Sequence, residues 1–281
     1  MEKIKMLWLD FFHDREKENW WQRKQNLCSE RGAEIIQIRG NGKVFEKLRY
    51  DKETHYRYFM HLTYVIKQHK KIYVEEHVLP YGFGLVDGTI KDHKPIKTKN
   101  ERMRKEAIVT NKVRDQVNER FAYDRLAAVQ YAERWWNSYN PAYRFFDVDC
   151  TNYVSQCLRA GGGPMWGSPV RERGWWYGSG TWSFSWSVAH SLRWYLSGSE
   201  QGLKGREMER ADQLIPGDII CYDFQGDGRW DHNTIVVAKD TEGMPLVNAH
   251  TDNSRNRYWS YEDSTAWTPN IQYKFFRIGD D

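Results

Sequence analysis

The run from Phe145 to Gly163, FFDVDCTNYVSQCLRAGGG, limits the architecture more than any other stretch of this chain. Cys150, Val154, Cys157 and Leu158 recur at offsets of 4, 7 and 8, which is one face of a helix; Asn152, Ser155, Gln156 and Arg159 fall on its outer side, and Gly161–Gly163 stop it. A helix this short is marginal alone and has to bury that face against something. The surrounding pattern supplies partners. Upstream, FAYDRLAAVQYAERWWNSYN reads as a helix ending at Asn140-Pro141, its buried face drawn from Leu126, Val129, Ala132 and Trp136 or from Ala128, Tyr131 and Trp135. Downstream come a Trp/Gly/Ser-rich excursion (164–183), a helix over about 184–197, and, after Ile215-Pro216-Gly217-Asp218, strands at about 218–224, 233–239, 245–251 and 271–277. Helices in front and a strand meander behind predict an α+β fold.

The first part of the chain reads differently. Residues 3–31 read as one long amphipathic helix with a stripe of Ile4, Leu7, Trp8, Phe11 and Phe12. From Ala33 to Leu85 the runs are β-like, with Gly40-Asn41-Gly42 placed as a hairpin turn would be. His55, His61, His69 and His77 fall here and are read as solvated sheet residues, not metal ligands. Charge supports a division. Residues 1–110 carry 23 Lys+Arg against 16 Asp+Glu, while residues 111–281 carry 19 against 22; three tryptophans lie in the first segment and eleven in the second. The expectation is an α+β domain over 1–110, a basic linker at about 91–115, and a second domain over 116–281. A net charge of +4 does not call for a nucleic-acid partner. No apolar run approaches the ~18 residues of a membrane span, and the charged start reads as a helix, not a leader. A cytoplasmic location is expected, with cell-wall or spore association compatible.

The cysteines raise the question of chemistry. Cys150 and Cys157 on one helix would have Cα atoms roughly 10 Å apart, beyond the ~7 Å reach of a disulfide. Cys28, Cys157 and Cys221 fit structural roles on apolar faces. Cys150 begins a helix, where unpaired N–H groups favour a thiolate and can hold an oxyanion; Asp149 before it reads as an N-cap whose charge opposes ionisation. Among the histidines of this region, His190 reads as packed, while His232 and His250 lie at strand positions. If Ala238 faces Met244, His232 lies opposite His250; a shift of two puts it opposite Asn248. Either register gives His232 a polar partner, the layout of nucleophile, base and orienter. Trp182 and Trp186 are candidate walls of a substrate cleft, as is Asp149 beside the thiol.

Together, YDRLAAVQYAERWWNSYNPAYRFFDVDCTNYVSQCLRAGG, TWSFSW, IPGDIICYDF, DHNTIVVAKD and VNAHTDN resemble the amidase domain found in many spore-forming Firmicutes, itself similar to the papain-like NlpC and CHAP cysteine peptidases and amidases. The resemblance spans about 122–277. It implies a papain-like core, a nucleophile at Cys150, a base at His232 and a third polar residue at His250 or Asn248. It further implies amide hydrolysis through a thioester on peptidoglycan-type peptides, without cofactor or metal. Asn233 departs from the pattern, which usually continues with an apolar residue after the base. Two other readings use the same scaffold: a catalytically silent binding module, and a transglutaminase-like acyltransferase.

Overall fold

The computed structural model describes residues 2–14, 19–96 and 121–279. The chain divides into two compact units, Met1–Lys97 with Ser260–Trp267, and Thr98–Trp259 with Thr268–Asp281. The segment 260–267, expected in the second domain, thus belongs with the first. Most of the expected linker lies outside the described residues.

In the first unit, α1 (Glu2–His13) and α2 (Trp20–Glu30) replace the single helix expected over 3–31. The break has a local cause. Asn19 caps α2, accepting from the N–H groups of Trp21 and Gln22, while the Gln22 side chain accepts from the Asn19 N–H in return. Strands β1 (Ala33–Tyr50), β2 (Glu53–Gln68), β3 (Lys71–Val86) and β4 (Thr89–Pro95) form an antiparallel meander.

The Gly40-Asn41-Gly42 turn is not there. β1 runs straight through it, with Gly40 opposite Leu62 and Gly42 opposite Met60, and the chain reverses at Asp51-Lys52. The reason lies in β2, where Tyr58, Met60, Leu62, Tyr64 and Ile66 form an unbroken buried face. That face needs a partner of equal length. The two glycines lie under that face without being required by it: a Cβ on Gly40 would meet Met60 Sδ at 3.4 Å, and one on Gly42 the Tyr58 ring at 3.5 Å, both ordinary contact. Trp8, Trp20 and Trp21 cover this face.

His77 also departs from expectation. It is buried, its Nε2 donating to Glu75 at 2.7 Å, and Glu75 and Asp263 both pair with Lys24 (2.5 and 3.2 Å). Glu75, His77 and Asp263 are the one group among the described residues spaced like metal ligands, and the Lys24 ammonium supplies the cation there.

In the second unit, α3 (Arg125–Trp135) is capped by Asp124, whose side chain accepts from the Ala127 N–H at 2.9 Å. α4 (Cys150–Ala160) follows the sequence expectation. A short hairpin of β5 (Tyr177–Gly178) and β6 (Thr181–Trp182) leads into α5 (Phe184–Ser187) and α6 (Ala189–Gly198), separated at the extended residue Val188. Then come β7 (Gly205–Met208), β8 (Ile219–Asp223), β9 (His232–Lys239), β10 (Pro245–Ala249), β11 (Ser254–Tyr258) and β12 (Gln272–Ile278). Within this unit the antiparallel order is β11-β10-β9-β8-β12-β7. The molecule is therefore α+β, as expected.

The helices pack on the sheet face that carries Ile219, Cys221, Ile235, Val237, Phe276 and Ile278. α4 is central. Asn152, Ser155 and Gln156, expected on its outer side, are all buried. Each short polar group has a partner inside: Ser155 donates to the Trp186 carbonyl and accepts from Trp175 Nε1, and Gln156 accepts from the Tyr131 hydroxyl.

Candidate active site

Cys150 is the first residue of α4 and 2% exposed. The peptide N–H groups of Asn233 and Thr151 lie near enough to its sulfur to favour the charged form, and the Thr151 hydroxyl lies 3.7 Å away. Burial pushes the thiol pKa up; the Thr151 hydroxyl and the two N–H groups act against it, Asp149 reinforces it, and the net shift is upward. The resting group is a protonated thiol with polar neighbours that favour its ionisation. Cys221 and the Asn233 side chain, which donates to Thr151 Oγ1 at 3.0 Å, complete this corner.

Asp149 occupies the N-cap position without capping; its side chain bonds elsewhere. Oδ1 accepts from the Phe146 N–H (3.1 Å) and Asn152 Nδ2 (2.8 Å), and Oδ2 from His250 Nδ1 (2.8 Å). Its own N–H donates to Thr251 Oγ1 at 3.2 Å. Asn152 ties this network outward, donating to the Arg144 carbonyl and accepting from Trp186 Nε1. The other ring nitrogen of His250, Nε2, donates to the Trp135 carbonyl at 2.7 Å, and the ring stacks on Tyr153 with centroids 4.0 Å apart. His250 thus joins the end of α3 to the start of α4.

His232 lies elsewhere. β8 and β9 pair regularly, Cys221 with Asn233 and Tyr222 with His232. Side chains alternate along a strand, so Asn233, Ile235 and Val237 face the helices while His232, Thr234 and Tyr222 face away. The Tyr222 hydroxyl 3.1 Å from Thr234 Oγ1 agrees with this. The His232 ring sits against Tyr222 and Phe224, with centroids 5.7 and 6.1 Å apart. Burial, aided by the Arg257 charge, lowers its pKa to about 3 and keeps it neutral.

The expected registers of β9 and β10 are both replaced. Ala238 pairs with Leu246, not Met244, and a bulge that passes over Val237 on β9, between the Leu246–Ala238 and Val247–Val236 pairs, brings Asn248 opposite Ile235. Asn248 and His250 therefore share the helix-facing side with Asn233. Asn248 donates to Glu133 Oε1 (2.8 Å) and accepts from the Asn256 N–H (2.8 Å), while Arg255 holds the other oxygen of Glu133. The structure brings together Cys150, Asp149 and His250, places Asn248 two residues before His250, and keeps the His232 ring on the far face.

Of the tryptophans, Trp186 is fully buried, packed among Trp175, Tyr177 and Tyr143. Trp182 is half-buried, edge-on to Phe146 and stacked on Tyr177. Arg144 and Arg171 each place their guanidinium 5.4 Å from the centre of the Trp182 ring. Sequence reasoning missed Asn152, Thr251, Arg144 and Arg171. Asn152 was open to discovery as the polar residue three after Asp149; the arginines carried no local signal.

Residues 122–276 match the family described as "Putative amidase domain", and the chain belongs to that family. The chain is 46% identical over 267 residues to "Uncharacterized protein YhbB" of Bacillus subtilis, covering 92% of this chain and 86% of that protein. It is 29% identical over 145 residues to "Uncharacterized protein YjcM" of the same organism, covering 48% of this chain and 32% of that one. No solved structure matches. The family assigns amide hydrolysis as the coarse activity. Among the described residues no helix is long and apolar enough to cross a membrane.

Proposed function

We propose that the second unit is a papain-like, cysteine-dependent amide hydrolase of the NlpC/CHAP kind, acting through a thioester on peptide amides of the peptidoglycan type. One observation supports this above the rest: Cys150 sits at the start of α4, beside the Thr151 hydroxyl and near the N–H groups of Thr151 and Asn233, which favour its charged form. Donors so placed stabilise a developing thiolate and are within reach of an oxyanion formed on a carbonyl attacked there.

In this mechanism the thiol proton passes to an imidazole and the sulfur attacks the amide carbonyl. The collapsing intermediate expels the amine, which takes the proton, and water then cleaves the thioester. His232 is the candidate base. Its ring is neutral, hence able to accept a proton, and its Cα is two covalent bonds from the Asn233 nitrogen beside the sulfur. Its role requires the ring to leave Tyr222 and Phe224. His250, with both nitrogens donating, has no lone pair for the thiol in this arrangement; it acts as a positioning residue through Asp149.

The test is turnover of muropeptides or γ-linked peptides, with intact mass measured on acid-quenched enzyme. The expected result is an acyl adduct on Cys150, with loss of both adduct and turnover in Cys150→Ala and of turnover in His232→Ala. Unchanged turnover in Cys150→Ala ends the proposal. A silent binding module is the second reading, favoured by the buried, upward-shifted thiol and the distant His232 ring. It predicts that iodoacetamide labels native Cys150 no faster than an exposed model thiol.

A further inference from the structure

Beside the first turn of α4 lies a feature that the thiol chemistry does not use. Arg144 and Arg171, both exposed, converge on the one indole of Trp182, each 5.4 Å from its centre, so they stand no more than twice that apart. A single arginine over an aromatic ring is ordinary surface packing. Two on one ring is a different matter, because like charges are held near each other without relief. Among the described residues neither guanidinium pairs with a carboxylate, and the flanking acids Asp147 and Glu172 make no ion pair with them.

Both residues are also held at the backbone. The Arg144 carbonyl accepts from Asn152 Nδ2 (2.9 Å) and its N–H donates to the Tyr177 hydroxyl (2.8 Å). The Arg171 carbonyl accepts from the Phe184 N–H (2.8 Å), and its Nε donates to the Trp182 carbonyl (3.1 Å). The same Asn152 amide reaches Asp149, the residue before the nucleophile. Arg144 is thus anchored to the start of α4 and Arg171 to Trp182 and Phe184, while both residues stay exposed. Guanidinium forks match a carboxylate with two parallel hydrogen bonds, and the half-buried Trp182 ring beside them offers an apolar seat for the adjoining chain.

We propose that Arg144 and Arg171 form a carboxylate clamp over Trp182 that selects acidic peptides as substrates. The proposal deepens the amidase reading and rests on it for the word substrate; the binding itself does not. It is tested by titrating the full-length Cys150→Ala protein, which cannot consume ligand, with two C-terminally amidated peptides. These are L-Ala-γ-D-Glu-L-Lys and the same peptide with the glutamyl α-carboxylate converted to amide. Binding is read by calorimetry and tryptophan fluorescence.

The acid form is expected to bind at least about tenfold more tightly, as hydrogen bonds to a charged group imply. Arg144→Gln with Arg171→Gln should bring the two peptides within about twofold, leaving the amidated peptide's affinity and the melting temperature unchanged. Equal affinity for both peptides, no binding of the acid form at millimolar concentration, or a preference that survives the double substitution overturns the clamp. Acid-selective binding by a protein that cleaves neither peptide sustains the clamp and removes the amidase reading. Cleavage without preference for the acid form does the reverse.

Discussion

Removing the imidazole at position 250 should cost both stability and the order of the nucleophile, for one reason. His250 and Asp149 form an ion pair at 2.8 Å with each side chain 3% exposed. Without His250, the carboxylate keeps the Phe146 N–H and the Asn152 amide but loses its third donor. Breaking a buried pair from one side costs about 3–5 kcal/mol. For a unit of this size each kcal/mol lowers the melting temperature by roughly 2–4 °C, so His250→Ala should melt about 6–20 °C lower. Asp149→Asn added to His250→Ala should cost little more, since the stranded charge is then gone. The assay is urea unfolding of the four proteins of that cycle, with native alkylation of Cys150 measured alongside. A looser start to α4 predicts faster alkylation in His250→Ala. A loss under about 1 kcal/mol, or additive single costs, refutes the argument. Lost turnover with stability and alkylation unchanged would instead make His250 the base.

His232 predicts a pH dependence. Its pKa falls from the ordinary histidine value to about 3 on burial, so below roughly pH 6.5 the unfolded chain takes up a proton that the folded one does not. The stabilisation present at neutral pH is lost as pH falls, by about 1.4 kcal/mol per unit toward pH 3; urea midpoints at pH 7.5 and 5.0 should diverge less in His232→Phe than in the parent. In the first unit, burial pushes the Glu75 carboxyl up, but Lys24 with help from His77 outweighs it and holds the group low. Lys24→Met should therefore cost about 3–5 kcal/mol at pH 7, and less as acid protonates the stranded carboxylates; a pH-independent loss between pH 7 and 4 contradicts this. At Gly40, where an added Cβ meets Met60 and Leu62 at ordinary contact distance, Gly40→Ala should change the urea midpoint little, whereas a hairpin turn there would not tolerate it.

What the sequence disclosed and what it hid follow a physical rule. α4 was legible because its start, its face and its glycine stop are all local. β8, β9, β10 and β12 were legible from alternation and spacing. β7 and β11 were not, because GREM and SRNRY carry little apolar signal and owe their form to the neighbours they pair with. The Gly40 region misled because a glycine pair looks alike as a turn and as a spacer beneath large side chains. Only the length of β2's buried face decides between them, and that is a fact about the partner. The outer side of α4 misled similarly: polarity suggests solvent, but Ser155 and Gln156 have donors and acceptors waiting in other segments.

The site depends on one such non-local fact. Face assignment in a strand has a period of two, so a single extra residue exchanges the two sides. Val237, passed over on β9 between the pairs Leu246–Ala238 and Val247–Val236, is that residue. With the unbulged pairing, His232 and His250 would share a face and the triad order in the sequence would become a triad in space. With it, His250 keeps company with Asn233 and turns to Asp149, while His232 stands across the sheet. No property of Val237 announces a bulge; it is an ordinary strand residue. The chain order Cys150, His232, His250 therefore contains the parts of a thiol site, whereas the distribution of those parts between two faces is decided by a backbone irregularity that only the assembled sheet reveals. The relevant perturbation is thus the register beside the bulge. Deleting one residue at 246–247, with Val237 still bulged, moves Asn248 opposite Val236 and should turn Asn248 and His250 away from the helices. The loss of the Asp149 pair and the exposure of two buried polar groups to the wrong face would unfold the second unit at room temperature, read by loss of near-ultraviolet tryptophan signal; a folded deletion variant would mean that the register is not set where the pairing puts it.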